Sequence, residues 1–255
     1  MTHTTPFDLS GRTILITGAS SGIGRQCAMT CAAMGANLLL LGRDKVRMHE
    51  TTELLTGSAK VTTFLFDLTN EDEMTEFVAG VTREERQITG VIHSAGLGNT
   101  LPFKSASLKK QALIFNTNVG APLELTRLLL KKKVLGSTAS IVFISSVMGT
   151  VGEAGKTLYG MSKGAIVAAV KSLAIEYAPK KIRFNVVSPG VVETPMSERA
   201  IYRQQEVALT KITALHPLGL GQAGDIANAC VYLLSDAAKW VTGSQLMVDG
   251  GYTAR

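Results

Sequence analysis

The chain has 255 residues, of which 45% are hydrophobic, 18% charged and 5% aromatic, and its formal net charge is +6. This is the composition of an ordinary globular protein, and the length fits one domain or two small ones. The basic residues are mostly dispersed and few aromatic residues accompany them, which argues against a nucleic-acid-binding surface.

The cysteines and the N-terminus indicate the cellular compartment and whether the protein binds a metal. Cys27, Cys31 and Cys230 form no disulfide framework, and no histidine or further cysteine lies near the first two to complete a tetrahedral metal site. We predict small buried helix residues, a reducing compartment and no metal. The opening "MTHTTPFDLSGR" lacks the basic start and apolar core of a signal peptide, and we find no apolar run long enough to cross a bilayer. We expect a soluble, cytoplasmic protein.

Along the chain, short runs rich in branched residues alternate with longer stretches of helical spacing. The predicted strands are Thr13–Gly18, Asn37–Gly42, Val61–Asp67, Val91–Gly96, Ser140–Ser146, Ile182–Gly190 and Gln245–Gly251. Segments such as Arg25–Met34, Glu71–Arg86 and Gly160–Tyr177 are long enough for crossover helices. This alternation predicts an α/β fold, a doubly wound and mainly parallel sheet, in a single domain over residues 1–255. Ligands of such sheets bind outside the carboxyl ends of the strands.

The first predicted strand ends in the glycine-rich turn "TGASSGIG", with Gly18, Gly22 and Gly24. Glycines allow a tight turn and let backbone N–H groups approach a pyrophosphate at the positive end of the next helix. A flexible loop is the plain alternative, but it does not explain why the glycines fall between the first strand and the first helix.

The second predicted strand ends in "LLLLGRD", where folds that bind NAD tend to carry an acidic residue for the adenosine ribose. Here Gly42 takes that place and Arg43 follows it. An arginine can hold a 2′-phosphate through charge-assisted hydrogen bonds, which favours NADPH over NADH. The alternative is that Asp44 serves as the acid, although its position also suits a helix N-cap.

The stretch "LYGMSKGA" places Tyr159 and Lys163 four residues apart, on one face of a helix. Taken alone, this spacing carries little information. A nearby ammonium and the positive ring of an oxidised nicotinamide both favour a phenolate, so the pair can form an acid and the group that lowers its pKa.

The ordered set "TGASSGIG", "SAG", "NVG", "ISS", "YGMSK" and "SPGVVET" resembles the short-chain dehydrogenase/reductases over nearly the whole chain. The resemblance implies a seven-stranded Rossmann fold with Asn118, Ser146, Tyr159 and Lys163 as a catalytic tetrad. Tyr159 would protonate the developing alkoxide, Ser146 would hold the carbonyl oxygen, Lys163 would also anchor the nicotinamide ribose, and Asn118 would hold a water linking Lys163 to solvent. Ser145 and Asn116 are the near alternatives.

The same resemblance implies the cofactor contacts. These are Gly18, Ser20, Ser21, Gly22, Ile23, Gly24, Arg43, Asp67, Leu68, Ala95, Gly96, Tyr159, Lys163, Pro189, Gly190, Val192 and Thr194. Gly96 could instead be a simple turn, and Thr194 a helix cap. Two departures from the family pattern stand out. His93 and Ser94 replace two asparagines, and we expect His93 to fill a polar, partly buried position without a catalytic role.

Residues 195–217 are expected to cover the substrate, with Met196, Ile201, Val207 and Leu209 as candidate wall residues. Within the family, the chain is most similar to the 3-oxoacyl-acyl-carrier-protein reductases, whose carrier is acidic. The run Lys131–Lys133 suits such a partner, although a solvated helix end is the plain interpretation. Ile175 stands where those reductases often have an arginine, which weighs against that substrate.

Several alternatives stay open from the sequence. One is a reductase or dehydrogenase for a sugar, alcohol, steroid or other small ketone. Another is a non-catalytic protein that senses dinucleotides, and a third, minor one is a nucleic-acid-binding module. The resemblance also implies a homotetramer or dimer, with contacts from the predicted helices at about Leu108–Lys133 and Gly160–Tyr177 and from the C-terminus, whereas the same helices could only cover the sheet of a monomer.

Overall fold

The computed structural model describes residues 5–57, 60–84, 87–198 and 206–254. The strands are β1 (Thr13–Thr17), β2 (Asn37–Gly42), β3 (Val61–Leu65), β4 (Ile88–His93), β5 (Leu135–Ile144), β6 (Arg183–Pro189), β7 (Val192–Glu193), β8 (Gly221–Gln222) and β9 (Gln245–Val248). The helices are α1 (Gly22–Ala33), α2 (Lys45–Glu53), α3 (Glu71–Arg83), α4 (Leu108–Phe115), α5 (Ala121–Lys131), α6 (Thr157–Tyr177), α7 (Pro195–Glu198), α8 (Glu206–Ala214) and α9 (Ala223–Leu234).

Seven of the described strands form one parallel sheet in the order β3-β2-β1-β4-β5-β6-β9, and β7 pairs with β8 in a separate two-stranded ladder. The chain runs outward from β1 to β3 and then returns to place β4 on the other side of β1. This reversal of strand order opens a crevice at the carboxyl ends of β1 and β4, where doubly wound sheets bind ligands. The predicted fold class is confirmed.

Both faces of the sheet are buried, which explains the continuous apolar strands. Ile14 and Leu38 belong to one buried cluster, together with residues of α1 and α9. Their strand neighbours Leu15 and Leu39 belong to a second cluster, with residues of α3, α5 and α6. Successive side chains of a strand point to opposite faces, so a sheet with two covered faces needs apolar residues at nearly every position.

The three cysteines are buried helix residues, as predicted. Cys27 and Cys31 lie one turn apart on α1 and Cys230 lies on α9, all as free thiols with no exposed surface. A hydrogen bond with Cys230, together with burial, raises the pKa of Cys27, and burial raises the pKa of Cys31. Since the thiolate is the reactive form, these side chains act as small core residues.

Several predicted boundaries are wrong, and the sheet pairing shows why. β4 begins at Ile88, before the predicted Val91, because Ile88 pairs with Leu135 of β5 across an irregular stretch of the ladder. The paired strands also end early, so that Ser94–Gly96 and Ser145–Ser146 lie beyond β4 and β5 in the loops at the carboxyl edge. The single helix predicted over Leu108–Lys133 is interrupted by a π-helical turn at Asn116–Gly120.

The stretch Thr157–Lys180, which contains α6, is long and apolar enough by composition to cross a membrane, contrary to the expectation from the sequence. In the fold, α6 packs against β6 and contributes Ile166, Val170 and Ala174 to the core. Core helices of water-soluble domains meet the same criteria of length and composition. The packing on β6 therefore accounts for the apolar character of this helix.

Candidate active site

The glycine-rich turn lies in the crevice between β1 and β4, and the structure shows why glycine is needed at each of three positions. Gly18 and Gly22 have φ angles of 69° and 54°, which side chains other than glycine rarely adopt. A Cβ on Gly18 would lie 2.9 Å from the Cα of Ala95, in the loop after β4. A Cβ on Gly24 would overlap the carbonyl oxygen of Gly18, and one on Gly22 would contact Thr194 at 3.5 Å.

Helix α1 begins in this turn with its first backbone N–H groups free of side-chain caps. Its N-cap residue Ser21 makes no side-chain capping bond, and its first turn contains no acidic residue. Ser20 is half-buried, and its carbonyl accepts a hydrogen bond from Arg25 at 2.8 Å. The side chain of Ile23 packs against the core, so its available polar group is the backbone. Uncapped N–H groups at a helix N-terminus suit an anion.

At the end of β2, Arg43 and Asp67 form an exposed ion pair with a 3.0 Å contact. Hydrogen bonds from the backbone and side chain of Thr69, and then Arg43, lower the pKa of Asp67. The carboxylate of Asp44 caps α2 by accepting from the Arg47 N–H at 3.0 Å. The N-cap position suggested for Asp44 is confirmed. The pairing of Arg43 with Asp67 has no local signal in the sequence, because the two residues are 24 positions apart.

Tyr159, Ser146 and Lys163 converge at the carboxyl end of β5. The Lys163 Nζ lies 5.7 Å from the centroid of the Tyr159 ring and donates to the carbonyl oxygen of Ile144 at 2.8 Å. Lys163 is 6% exposed, Ser146 is 8% exposed, and Tyr159 is half-buried. Ser146 lies close enough to the Tyr159 phenol to favour its ionised form, and its hydroxyl accepts from the Met148 N–H at 3.2 Å. The spacing in the sequence therefore does bring the phenol and the ammonium together.

The pKa values of the phenol and of the ammonium are both shifted. Burial raises the pKa of Tyr159, and the nearby Ser146 hydroxyl only partly opposes this effect. Burial also lowers the pKa of Lys163 to about 8. Burial therefore determines the direction of both shifts, and the prediction that Lys163 and an oxidised nicotinamide lower the pKa of Tyr159 stays a prediction. The phenol is protonated at neutral pH and can donate a proton.

Asn118 lies in the π-helical turn between α4 and α5, and its side chain reaches back to the loop after β4. Its Oδ1 accepts from the Leu97 N–H at 2.7 Å, and its Nδ2 donates to the Leu97 carbonyl and to the Ser162 hydroxyl, both at 3.0 Å. A Cβ on Gly96 would lie 3.2 Å from Asn118 Oδ1 and 3.6 Å from Lys163 Nζ. Both amide N–H groups are thus in use, and a water could reach this side chain only through the second lone pair of Oδ1.

Ser145 and Asn116, the near alternatives to Ser146 and Asn118, have different surroundings. Ser145 is buried and its hydroxyl donates to the backbone carbonyl of Lys163 at 2.9 Å, so it supports the helix that carries the lysine. Asn116 is exposed, whereas Asn118 is 3% exposed. The structure thus places Ser146 and Asn118 in the site and their neighbours outside it.

The predicted nicotinamide loop follows β6. Pro189 ends the strand, Gly190 donates its N–H to the Val248 carbonyl at 3.1 Å, and Val192 is buried in the ladder of β7 with β8. Thr194 Oγ1 accepts from the Ser197 N–H at 3.3 Å, so the alternative of a helix cap is correct for α7. The loop nevertheless borders the glycine turn, because Thr194 is the side chain nearest to Gly22.

Two histidines lie close to these loops. His93 is 3% exposed, stacks on Phe143 at 4.5 Å and pairs with the Thr126 hydroxyl at 2.9 Å, and burial lowers its pKa to about 3. It is a neutral residue of the interior, more deeply buried than the partly buried position that the sequence predicted. His216 lies against Gly190, and no local sequence pattern reveals this contact, because His216 is 25 residues from its partner Val191 in that loop.

The expected substrate cover is described in part. Ile201 lies outside the described residues, and Leu209 is half-buried. Met196 and Val207 are 51% and 69% exposed, and a Cβ on Gly98 would lie 3.1 Å from the Met196 sulfur. None of the α8 side chains is buried. The side chain of Leu68 packs against the second core cluster, so the predicted cofactor contact of this residue would have to come from its backbone.

The run Lys131–Lys133 lies at the end of α5, just before β5 begins at Leu135. The candidate catalytic side chains lie at the opposite end of this strand, beside Ile144. Leu135 and Phe143 pair with residues 88 and 93 of β4, five residues apart, so the two ends are roughly 17 Å apart. The run does not border the active site of its own chain.

Comparisons with known proteins show the family of this chain. A family model described as enoyl-(acyl carrier protein) reductase matches residues 18–253. A 3-oxoacyl-[acyl-carrier-protein] reductase from Thermotoga maritima is 31% identical over 245 residues, which cover 95% of this chain and 98% of the relative. A solved short-chain dehydrogenase/reductase from Brucella melitensis is 31% identical, with a TM-score of 0.89 over 96% of this chain and 98% of that one. The chain belongs to the short-chain dehydrogenase/reductase family.

A third similar protein carries a cofactor. It is a structure from Beutenbergia cavernae, assigned as an NAD(P)-dependent gluconate 5-dehydrogenase, with bound NADP at low occupancy. It is 30% identical, with a TM-score of 0.89 over 98% of this chain and all of that one. As a short-chain dehydrogenase/reductase, the protein described here is an oxidoreductase that uses NAD(P).

The residues of this chain fit the family's dinucleotide. Side chains at Gly18 and Gly24 would fill the turn in front of α1, and the N–H groups at that helix end have no side-chain cap. Gly96 leaves open the space beside Lys163 Nζ. In the part of the chain that the structure describes, no group of three or more His, Cys, Asp or Glu side chains could hold a metal ion.

Proposed function

We propose that the protein is an NADP(H)-dependent ketoreductase that interconverts a ketone and a secondary alcohol, and that it reduces a 3-oxoacyl thioester. The observation that carries the chemistry is the convergence of Ser146, Tyr159 and Lys163 beside the glycine turn. A hydroxyl, a protonated phenol and a buried ammonium meet there at the carboxyl edge of the sheet.

Each of these groups has a separate task. The dinucleotide, when bound, supplies the hydride. Tyr159 donates its proton to the carbonyl oxygen of the substrate, and Ser146, whose hydroxyl lies near the phenol, orients that oxygen. Lys163 has three N–H donors and uses one on Ile144, so two remain for the ribose hydroxyls of the cofactor. Asn118 holds the Leu97 backbone and so shapes the wall next to the lysine.

The preference for NADPH rests on Arg43. Its side chain is 72% exposed at the end of β2, and its ion pair with Asp67 is itself exposed. Such surface pairs contribute roughly 0–1 kcal/mol, so the guanidinium can turn to a 2′-phosphate at little cost. Position 42, where folds that bind NAD tend to have an acidic residue, is a glycine and cannot repel that phosphate. The NADP bound in the Beutenbergia cavernae structure is consistent with this preference.

The proposal of a 3-oxoacyl thioester as substrate rests on the segment expected to cover the substrate, residues 195–217. Met196 and Val207 present apolar surface, and Met196 lies against Gly98 on the loop after β4, as suits an acyl chain. The similarity to the Thermotoga maritima reductase supports the same substrate class. Ile175 is 78% exposed, so it supplies no charge for a docked carrier protein.

A second candidate is a sugar acid or related small ketone. Lys156 precedes α6 and donates to the Thr100 hydroxyl at 2.6 Å, which joins the loops after β4 and β5. Burial lowers the pKa of Lys156, and the negative charge of Glu153 opposes this effect in part. An ammonium at this position could pair with a substrate carboxylate, and the similarity to a protein assigned as a gluconate 5-dehydrogenase favours this candidate.

We also propose a cytoplasmic homotetramer that accepts its substrate from an acidic carrier protein. Large apolar side chains on α4 and α6 are exposed, among them Leu108 (81%), Leu113 (57%) and Ile175 (78%). Association through these helices would cover them. Because Lys131–Lys133 lies far from the active site of its own chain, a carrier docked there would serve the active site of a neighbouring copy. Sedimentation equilibrium with wild type and Leu108→Glu tests the assembly, since a monomeric wild type contradicts it.

The deciding experiment follows the loss of NADPH absorbance, with NADH in parallel, on addition of acetoacetyl thioester or 5-ketogluconate. Tyr159→Phe removes the acid, and we expect activity to fall by about 10²–10⁴-fold. Tyr177→Phe, at the other end of α6, is the matched control and should keep full activity. Turnover of 5-ketogluconate alone selects the second candidate. Tight NADPH binding with no turnover of any ketone would favour a non-catalytic sensor.

A further inference from the structure

His216 is a buried side chain that connects three separate segments at the nicotinamide loop. It is 3% exposed and lies in the chain after α8. Its Nε2 accepts a hydrogen bond from the Val191 N–H at 3.0 Å, and its Nδ1 pairs with the Ile212 carbonyl at 2.8 Å. Its ring lies 4.9 Å from that of Tyr252, in the C-terminal turn.

The two partners determine the tautomer of the ring. The Val191 N–H can only donate, so Nε2 carries no proton, and the Ile212 carbonyl can only accept, so Nδ1 carries one. His216 therefore holds the loop by a single directed hydrogen bond and is itself held by the last turn of α8. Asp249 lies near the ring, and the effect of burial on its carboxylate is outweighed by the hydrogen bonds it accepts from Thr253 and Gly251, which lower its pKa, as does His216.

The residues around the hydrogen bond from Val191 to His216 are closely packed. A Cβ on Gly190 would lie 2.9 Å from His216 Nε2 and 3.0 Å from the Cα of Asp249. The Gly190 N–H donates to the Val248 carbonyl at 3.1 Å, and the Val191 carbonyl accepts from the Gly221 N–H at 3.0 Å. These other bonds join backbone to backbone. The bond to His216 is thus the restraint at Val191 that depends on the identity of a side chain.

We propose that His216 is a positioning residue that holds the Gly190–Val192 backbone in its cofactor-binding conformation and links this loop to α8 of the substrate cover. The inference rests on the proposed function, because it takes residues 189–194 as the loop that contacts the nicotinamide. His216 acts through the Val191 N–H and needs no contact with substrate. A loop that loses this acceptor leaves a buried N–H unsatisfied and shifts to satisfy it.

Two substitutions separate the two hydrogen bonds of the ring. In His216→Gln the amide oxygen can take the place of Nε2 and still accept from Val191. In His216→Asn the amide N–H can take the place of Nδ1 and still donate to Ile212, but nothing accepts from Val191. We expect the dissociation constant of NADPH to stay within about 3-fold for the glutamine variant and to rise about 10-fold for the asparagine variant, which corresponds to roughly 1.4 kcal/mol.

A fragment of the cofactor distinguishes positioning from general damage to the fold. Adenosine 2′,5′-bisphosphate has the adenosine end and the 2′-phosphate but no nicotinamide, so both variants should bind it as wild type does. Weaker binding of the fragment and of NADPH alike by His216→Asn would overturn the proposal, and so would equal NADPH affinities of the two variants. If wild type binds neither NADPH nor NADH, the proposed function fails as well, whereas unchanged affinities across the variants overturn only the role of His216.

Discussion

The side chain of Asn118 holds the backbone of Leu97 from both sides, accepting from its N–H at 2.7 Å and donating to its carbonyl at 3.0 Å. The two residues are 21 positions apart in the chain. Asn118 thus closes an amide pair with the loop after β4, as a neighbouring strand would. The π-helical turn at Asn116–Gly120 places it there, as such turns frequently do at functional sites.

We expect Asn118→Asp to lower the free energy of unfolding by roughly 2 kcal/mol or more, because an oxygen would face the Leu97 carbonyl where a donor now stands. Activity should fall with it, since the wall next to Lys163 is displaced. Urea unfolding and the reductase assay check both effects. Asn116→Asp, exposed in the same turn, is the control. Equal stability of the two variants would show that the hydrogen bonds between Asn118 and Leu97 do not stabilise the fold.

Gly24→Ala should abolish dinucleotide binding and lower the melting temperature, because its Cβ would overlap the Gly18 carbonyl. Gly224→Ala is the matched control, as it also lies in the first turn of a helix and its Cβ would meet no atom within 4 Å. It should be neutral or stabilising by up to about 1 kcal/mol. Calorimetric melting with and without NADPH measures both quantities. Unchanged cofactor binding by Gly24→Ala would show that the close contact between Gly24 and the Gly18 carbonyl is not needed for the binding site.

Lys163→Met should be inactive but more stable than wild type at pH 7, by roughly 1–3 kcal/mol. Burial lowers the pKa of Lys163 from 10.5 to about 8. Between these values the unfolded chain binds more protons than the folded one, so wild-type stability rises with pH through this window. The advantage of the variant should therefore shrink from pH 8 to pH 10, as measured by urea unfolding. Exposed Lys171→Met, on the same helix, should show no such trend.

Acid should destabilise the protein through His93. Burial lowers its pKa from 6.5 to about 3, so between these values the unfolded chain binds the additional proton. Stability then falls as the pH drops below 6.5, by up to about 1.4 kcal/mol per pH unit. His93→Asn should flatten this dependence in unfolding curves between pH 7 and pH 5. His49→Asn, exposed on α2, should keep the wild-type slope. An unchanged slope in His93→Asn would show that other groups dominate.

Arg43→Ala should reduce kcat/KM for NADPH by about 10–100-fold, which corresponds to roughly 1.4–2.8 kcal/mol for a lost charge-assisted contact, and leave kcat/KM for NADH nearly unchanged. Its ion pair with Asp67 is exposed, so its loss should not alter folding. Lys239→Ala, which removes an exposed charge after α9, controls for the change in net charge. Equal losses for both cofactors would mean that Arg43 does not recognise the 2′-phosphate.

Much of the candidate site could be predicted from the sequence because it depends on short-range patterns. The glycine turn, the spacing of Tyr159 and Lys163 on one helix, and the apolar character of the strands are local features. The topology of a parallel sheet then brings strand ends to one edge. Strand limits were less predictable, because residues such as Ile88 are in a strand only by virtue of their partner in β5.

The amino-acid sequence by itself determined the alternation of strands and helices, the turn in front of α1 and the residues with acid–base chemistry, since each depends on neighbours within a few positions. Tertiary structure alone decided the pairing of Arg43 with Asp67, the remoteness of Lys131–Lys133 from the active site, the raised pKa of Tyr159 and the contact of His216 with Val191. These depend on which distant segments meet and on how much water they exclude, and no local pattern records either quantity.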